Sequence, residues 1–408
     1  MNESIAPKVS ESWDSLEGVP GWSDVATRKP SSGARPPAST TRNAGYRGLQ
    51  WLGERLPGFA LAAALAALAD GVAGWIGHDL LGYRISPVSG VPIAIFLGIA
   101  LCNGFGVPDL FQAGLHACMR PLQRLAIMLL GFRLSLAAVG KIGLIALPTV
   151  LLSITIALLF IPWLARKVGL SSRLGTLIAV GTSICGVSAI MAVAPTIQAE
   201  EEEVSYAVAC VAIFGMLAML VYPYAVPLLF GHDYAATGVF LGTAIHDTAQ
   251  VTGAALVYQQ SHQAPEVLNT ATVVKILRNL SMIAVIPLMA AIFQRSQPGP
   301  QAARVSLHQV LPSFVLGFLA LTVVRAVGDA SARPFGILDW AQWEKFLHAM
   351  DWASTWFLAV VMAAVGLSTG LAPLRRLGLR PFFVGLAAAL FMGGVSVLLI
   401  RARAALGF

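Results

Sequence analysis

Charge is what this sequence has least of. Only 12% of its 408 residues are Asp, Glu, Lys or Arg, while 57% are hydrophobic; soluble domains carry about a quarter charged. That excludes an ordinary soluble globular chain, and a mean hydropathy of +0.74 points to an all-α polytopic membrane protein. Cysteine is scarce as well. Cys102, Cys118, Cys185 and Cys210 are dispersed without a C-x-x-C pair, which argues against a disulfide framework or a zinc site and leaves small apolar fillers as the cheapest reading. No His or carboxylate cluster has ligand spacing, so neither a metal nor a cofactor is expected. The net charge of +7 does not imply nucleic acid, because the basic residues gather at the ends of apolar runs, where they set orientation.

Residues 1–45 are polar and rich in Ser, Pro and Arg, which reads as a disordered cytoplasmic tail. Beyond it about eleven apolar spans follow, centred on 59–79, 87–103, 119–136, 143–165, 174–194, 204–230, 236–258, 272–293, 309–327, 352–370 and 382–401. The basic residues Arg166, Lys167 and Arg173, Arg295 and Arg304, and Arg375, Arg376 and Arg380 fall on one side with the tail, which predicts a cytoplasmic N-terminus in a bacterial inner membrane. The acidic run Glu200 to Glu203 and the segment Trp340 to Trp343 are then expected outside.

Three short matches suggest an internal repeat. Phe96-Leu97-Gly98-Ile99-Ala100 pairs with Phe240-Leu241-Gly242-Thr243-Ala244, and Leu147-Pro148-Thr149 with Leu311-Pro312-Ser313. Ala179-Val180-Gly181-Thr182-Ser183 pairs with Ala364-Val365-Gly366-Leu367-Ser368. The implied division is an extra N-terminal transmembrane helix over 46–86, a first unit over 87–232 and a second over 233–408. Units of five crossings make the repeat inverted, a pattern of secondary transporters whose sites form where discontinuous helices meet. Spans five and ten are the expected crossed, discontinuous pair.

The stretch Gly181-Thr182-Ser183-Ile184-Cys185-Gly186-Val187-Ser188 is too rich in Gly and hydroxyl residues for an ordinary span. A helix interrupted there must line a protein-enclosed cavity or meet a ligand; a small-residue packing seam is the alternative. Span seven carries His246, Asp247 and Gln250 at membrane depth, where an ionisable residue costs at least about 2.5–3.5 kcal/mol. They are a candidate coupling site, or a pair that only ties helices together. In span eight, Lys275, Arg278 and Asn279 share one helical face. Lys275 and Arg278 either snorkel to the interface or supply positive charge to an anion pathway. Arg133 occupies the matching place in span three, as a further compensating charge or an interfacial anchor.

Taken together, Leu130-Gly131-Phe132-Arg133-Leu134, Gly181 to Gly186, His246 to Val251, Lys275 to Arg278 and Ala364 to Thr369 resemble the YeiH-type sulfate exporter family of bacterial inner-membrane proteins. One departure is Asp247, where some members carry Glu. The resemblance implies export of a small sulfur oxyanion such as sulfate. Combined with the residues above, the expected function is a secondary transporter with no enzymatic activity. Thr182, Ser183, Cys185, Gly186, Ser188, Gln250, Lys275, Arg278, Ser368 and Thr369 would take the anion, and His246 and Asp247 a coupling proton or sodium ion. The other partners are the lipid bilayer and, left open, a second copy of the chain. A sodium-coupled carrier of another organic anion, a channel or sensor, and an intramembrane enzyme using Cys185 and His246 are the alternatives.

Overall fold

The computed structural model describes residues 44–82, 89–296, 313–330, 333–337, 339–370 and 379–406. The expected tail before residue 44, the Leu311-Pro312 pair and Arg304, Arg375 and Arg376 lie outside them. Every regular element among the described residues is helical. In chain order these are α1 (Ala44–Trp75), α2 (Gly90–Gly104), α3 (Asp109–Ala117), α4 (Gln123–Leu129), α5 (Leu136–Lys167), α6 (Ser172–Ser183), α7 (Val187–Val193) and α8 (Glu201–Phe230). They continue with α9 (Tyr234–Ala244), α10 (Thr248–His262), α11 (Pro265–Leu280), α12 (Met282–Ser296), α13 (Ser313–Asp329), α14 (Trp340–Leu367) and α15 (Leu379–Ala405). Among the described residues, 6 helical stretches are long and apolar enough to cross a membrane.

Side-chain caps fix where the helices begin. Ser135 Oγ accepts from Ala138 N at 3.2 Å, Ser171 Oγ from Leu174 N at 3.0 Å and Asp233 Oδ1 from Ala236 N at 2.9 Å. Each satisfies an amide that a first helical turn leaves without a partner. Glu200 and Glu203 form a reciprocal capping box at the start of α8.

The helices sort into two bundles. One holds α1, α2, α3–α4, α13 and α14; the other holds α5 to α12 and α15. The first is drawn tight by glycine. A Cβ on Gly98 would stand 2.6 Å from Leu367 N, and one on Gly366 would stand 2.6 Å from the Ile95 carbonyl, so α2 and α14 cross at backbone contact.

Two expected spans turn out to be hairpins. Helix α6 enters the second bundle, breaks at Ile184–Gly186 and returns as α7. Both ends of the segment lie together: Ser171 hydrogen-bonds Glu203, and Arg173 pairs with Glu200 at 3.7 Å. Across the hairpin, Ile190 packs on Gly181. The segment α9–α10 does the same from the opposite end, breaking at Ile245–Asp247. Its two ends are joined by the rings of Tyr234 and Tyr258, 6.4 Å apart.

Two sequence expectations change as a result. Span ten is not discontinuous, since α14 runs unbroken from Trp340 to Leu367, and the partner break lies in span seven. The acidic run Glu200 to Glu203 shares its end of the bundle with Arg173, because the intervening segment returns to where it started. In a cysteine-free background, Arg173→Cys and Glu200→Cys are expected to react with an impermeant maleimide from the same side of the membrane. His232→Cys and Gln263→Cys should both react from the other side. Labelling of positions 173 and 200 from opposite sides would restore a through-going span.

Candidate functional site

The two hairpin tips share a sequence as well as a shape. Gly181-Thr182-Ser183-Ile184 at the first corresponds to Gly242-Thr243-Ala244-Ile245 at the second. Gly186 adopts φ 72° and ψ −131°, a conformation that disfavours any side chain. A Cβ there would also stand 3.0 Å from Asp247 Oδ2 and 3.3 Å from Asp247 Cα. The tips therefore touch, backbone against side chain, inside the second bundle.

Each break strands the last carbonyls of a half-helix, and two cations of α11 collect them. Arg278 donates from Nε to Ser183 O at 3.0 Å and from Nη2 to Thr182 O at 2.8 Å. From Nη1 it reaches Gly242 O, Thr243 O and Ile245 O at 2.9, 2.8 and 2.8 Å. Lys275 Nζ donates to Ile184 O at 2.8 Å, to Ile245 O at 3.4 Å and to His246 O. The two side chains are 1% and 0% exposed, so neither snorkels to an interface. Their first task is to satisfy main-chain oxygens of both hairpins at once.

The amino ends of the returning half-helices face the same region. Asp247 caps α10: its Oδ1 accepts from Ala249 N at 2.9 Å, and its own N–H donates to Gln250 Oε1 at 3.1 Å. Gln250 also donates from Nε2 to Ala212 O at 3.2 Å, seated over Gly215, where a Cβ would overlap its amide. Cys185 Sγ meets Met282 Sδ at 3.1 Å. Ser188, on the first turn of α7, is exposed and Asp247 is half-buried, so the tips open to a surface on this side.

Several buried polar atoms here have no partner: Ser183 Oγ, His246 Nδ1 and Asn279 Oδ1. Such atoms are costly unless something fills them. Ser368 Oγ is a fourth. Helix α14 runs antiparallel to α10 with Met362 Sδ packed on Gly253, and Ser368, six residues further along, caps α14 on the side toward the second tip. Thr369, beyond it, bonds within the first bundle, accepting at its carbonyl from Asn103 Nδ2 at 2.9 Å.

Two differences from the sequence-based set stand out. Arg133 is not at the tips: its Nε pairs with Asp351 Oδ1 at 2.8 Å and its Nη1 reaches Gln259 Oε1 at 3.3 Å, at the other end of α10. Conversely, Gln123 of the first bundle reaches the site. With its amide turned so that both ends are satisfied, it donates to Met119 O at 2.6 Å and accepts from Ala249 N at 3.0 Å. No motif marks Gln123 in the sequence; its interest comes only from the contact between bundles.

Replacing Arg278 with Met takes a buried donor from five main-chain carbonyls, of which Ile245 O keeps Lys275 Nζ at 3.4 Å. The expected loss is about 3 kcal/mol or more of unfolding free energy, measured by SDS titration in mixed micelles. Arg278→Lys should recover little of it, since an ammonium on a single stem does not span both hairpins as the guanidinium fork does.

The comparisons with known proteins agree with a membrane architecture. A family model described as conserved hypothetical protein 698 matches residues 57–385. A UPF0324 membrane protein of Nitratidesulfovibrio vulgaris is 32% identical over 350 residues, covering 82% of this chain and 90% of that protein. One from Streptococcus pyogenes serotype M18 is 32% identical over 334 residues, covering 81% and 92%, and one from Agrobacterium fabrum is 32% identical over 356 residues, covering 86% and 94%. With an all-helical fold and helices long enough to span a bilayer, the chain belongs to this family of UPF0324 membrane proteins, the YeiH-type family.

Proposed function

We propose that the protein is a secondary active transporter of a small anion, a sulfur oxyanion such as sulfate, working as an exporter by alternating access and driven by protons. The observation that carries this reading is the meeting of two hairpins, entering from opposite ends, whose tips bring half-helix termini and unpartnered buried polar groups together. Irregular backbone at such depth is tolerated where it lines a binding cavity.

Charge at the tips favours an anion. Each half-helix end carries roughly half an elementary charge, negative at the carboxyl end and positive at the amino end. The carboxyl ends of α6 and α9 offset about one of the two positive charges on Lys275 and Arg278. The amino ends of α7 and α10 add about one back, and Asp247 subtracts one. The balance is positive, so Ser183, Ser188, His246, Asn279 and Gln123 surround a place suited to an oxyanion.

A proton fits the coupling role better than sodium. Sodium needs oxygen ligands, and the carbonyls freed at both breaks are already bonded to Lys275 and Arg278. The basic residues Arg166, Lys167 and Arg173 stand where α5 ends and α6 begins; that end of the bundle is assigned to the cytoplasm of a bacterial inner membrane. Movement of one bundle against the other would expose the tips to each side in turn.

Purified protein in proteoliposomes should accumulate radiolabelled sulfate or sulfite above equilibrium when a pH gradient is imposed, and Asp247→Asn should abolish the gradient-driven part. Equilibrating flux that ignores the gradient in both proteins would make it a channel. An absence of flux for either anion under proton and sodium gradients would remove the proposed substrate.

A further inference from the structure

The Asp247 carboxylate lies where an anion would be expected to lie. One oxygen accepts from Ala249 N at the amino end of α10, and the other rests against Gly186 at the turn into α7. Lys275 holds the carbonyl of the preceding residue, His246, so its charge stands close by. The chain has thus placed a negative charge of its own at the positive pole that both hairpins share.

We propose that Asp247 is the resident anion of this site and competes with the substrate, so that an oxyanion binds only as Asp247 takes up a proton. This deepens the transporter reading and rests on it. The step balances simply. An O–H bond of hydronium breaks as the O–H of the carboxylic acid forms and water is released, nothing is oxidised or reduced, and the site gains one unit of positive charge as the anion arrives. The carboxylate, an acceptor only, becomes a carboxylic acid whose O–H can donate to a substrate oxygen. By the charge balance above, the tips carry about one positive charge with Asp247 ionised and about two with it neutral. A dianion such as sulfate is matched only by the second state.

The groups facing Asp247 from each neighbouring element define the competition. Helix α11 presents Lys275 and Arg278, the first hairpin presents Cys185, and His246 is the adjoining residue in the chain. Helix α8 presents only the neutral stretch around Ala212 to Gly215, and α4 presents Gln123. His246 adjoins Asp247 in the chain and its imidazole can itself carry a proton, so the test must separate the two.

Sulfate is the probe, because it stays a dianion between pH 5 and pH 8, a window in which only the protein titrates. Calorimetry on the full-length protein in detergent, run in buffers of different ionisation enthalpy, should register uptake of one proton per sulfate bound. Affinity should weaken about tenfold per pH unit above the titration of Asp247, the slope for one linked proton. Asp247→Asn keeps a good helix cap and should bind sulfate with no pH dependence and no proton uptake. His246→Gln removes a group that lines the site and so changes the affinity itself, but the sulfate it binds should still bring one proton with it and show the same slope with pH.

Sulfate binding to the wild type without proton uptake would overturn the proposal, as would pH dependence that survives in Asp247→Asn and vanishes in His246→Gln. Both results leave anion binding in place. Failure of sulfate, sulfite and thiosulfate to bind wild type and variant at any pH would instead sink the anion reading beneath it.

Discussion

Two buried cations bonded to two sets of stranded carbonyls hold this structure together at its centre. A break in a helix away from water leaves main-chain oxygens that cost free energy until something donates to them. A buried Lys or Arg is costly for the mirror-image reason, since its donors and charge leave water as well. Here the costs offset one another. Arg278 spans Thr182 and Ser183 of one hairpin and Gly242, Thr243 and Ile245 of the other. Lys275 joins Ile184 to His246. Neither hairpin can keep its broken geometry without α11, and α11 cannot keep its cations buried without both breaks.

That mutual dependence explains why the hairpins need not cross the bundle. Their tips end on shared donors, and each is closed at its mouth by local contacts, Arg173 with Glu200 for the first and Tyr234 with Tyr258 for the second. The barrier between the two ends of the bundle is then thin at one depth. There the carboxyl ends are bonded to α11, while the amino end of α10 is capped by Asp247. Gly186 sets the limit of approach: any side chain would push Asp247 away and separate the tips.

Much of this was legible in the sequence, and the errors have a physical source. Each of the eleven apolar segments contains helix among the described residues, two of them broken at Ile184–Gly186 and Ile245–Asp247, and the first of those breaks was signalled by its glycines and hydroxyls. Hydropathy, however, reports that a stretch is apolar, not whether it crosses. Residues 172–197 are long enough for a span, and nothing local says that Ser171 and Glu203 meet. The partner break was sought in span ten because Ala364-Val365-Gly366 repeats Ala179-Val180-Gly181; the closer match, the Gly-Thr-small-Ile tetrad at 181 and 242, marks the true pair. That Lys275 and Arg278 share a face follows from their spacing. That they point at carbonyls belonging to two other segments does not, because tertiary contacts carry no spacing signature. Gln123 was invisible for the same reason.

The link between the bundles follows from the same economy. At its closed end the second hairpin is tied to the first bundle by consecutive glutamines. Gln259 meets Arg133, itself held by Asp351 at 2.8 Å, and Gln260 accepts from Ser89 Oγ at 2.5 Å. Near the tip the tie is Gln123 on Ala249. A neutral hydrogen bond contributes about 0.5–1.5 kcal/mol net and one to a charged group about 1.5–3 kcal/mol. Breaking these few ties therefore costs far less than undoing the eight donor contacts that Lys275 and Arg278 make to the tips. Any displacement of one bundle against the other should leave the paired hairpins and α11 intact and divide the molecule along α10, α14 and α2. The paired tips then travel as a preformed unit, and their tie to Gln123 of the first bundle changes with the motion.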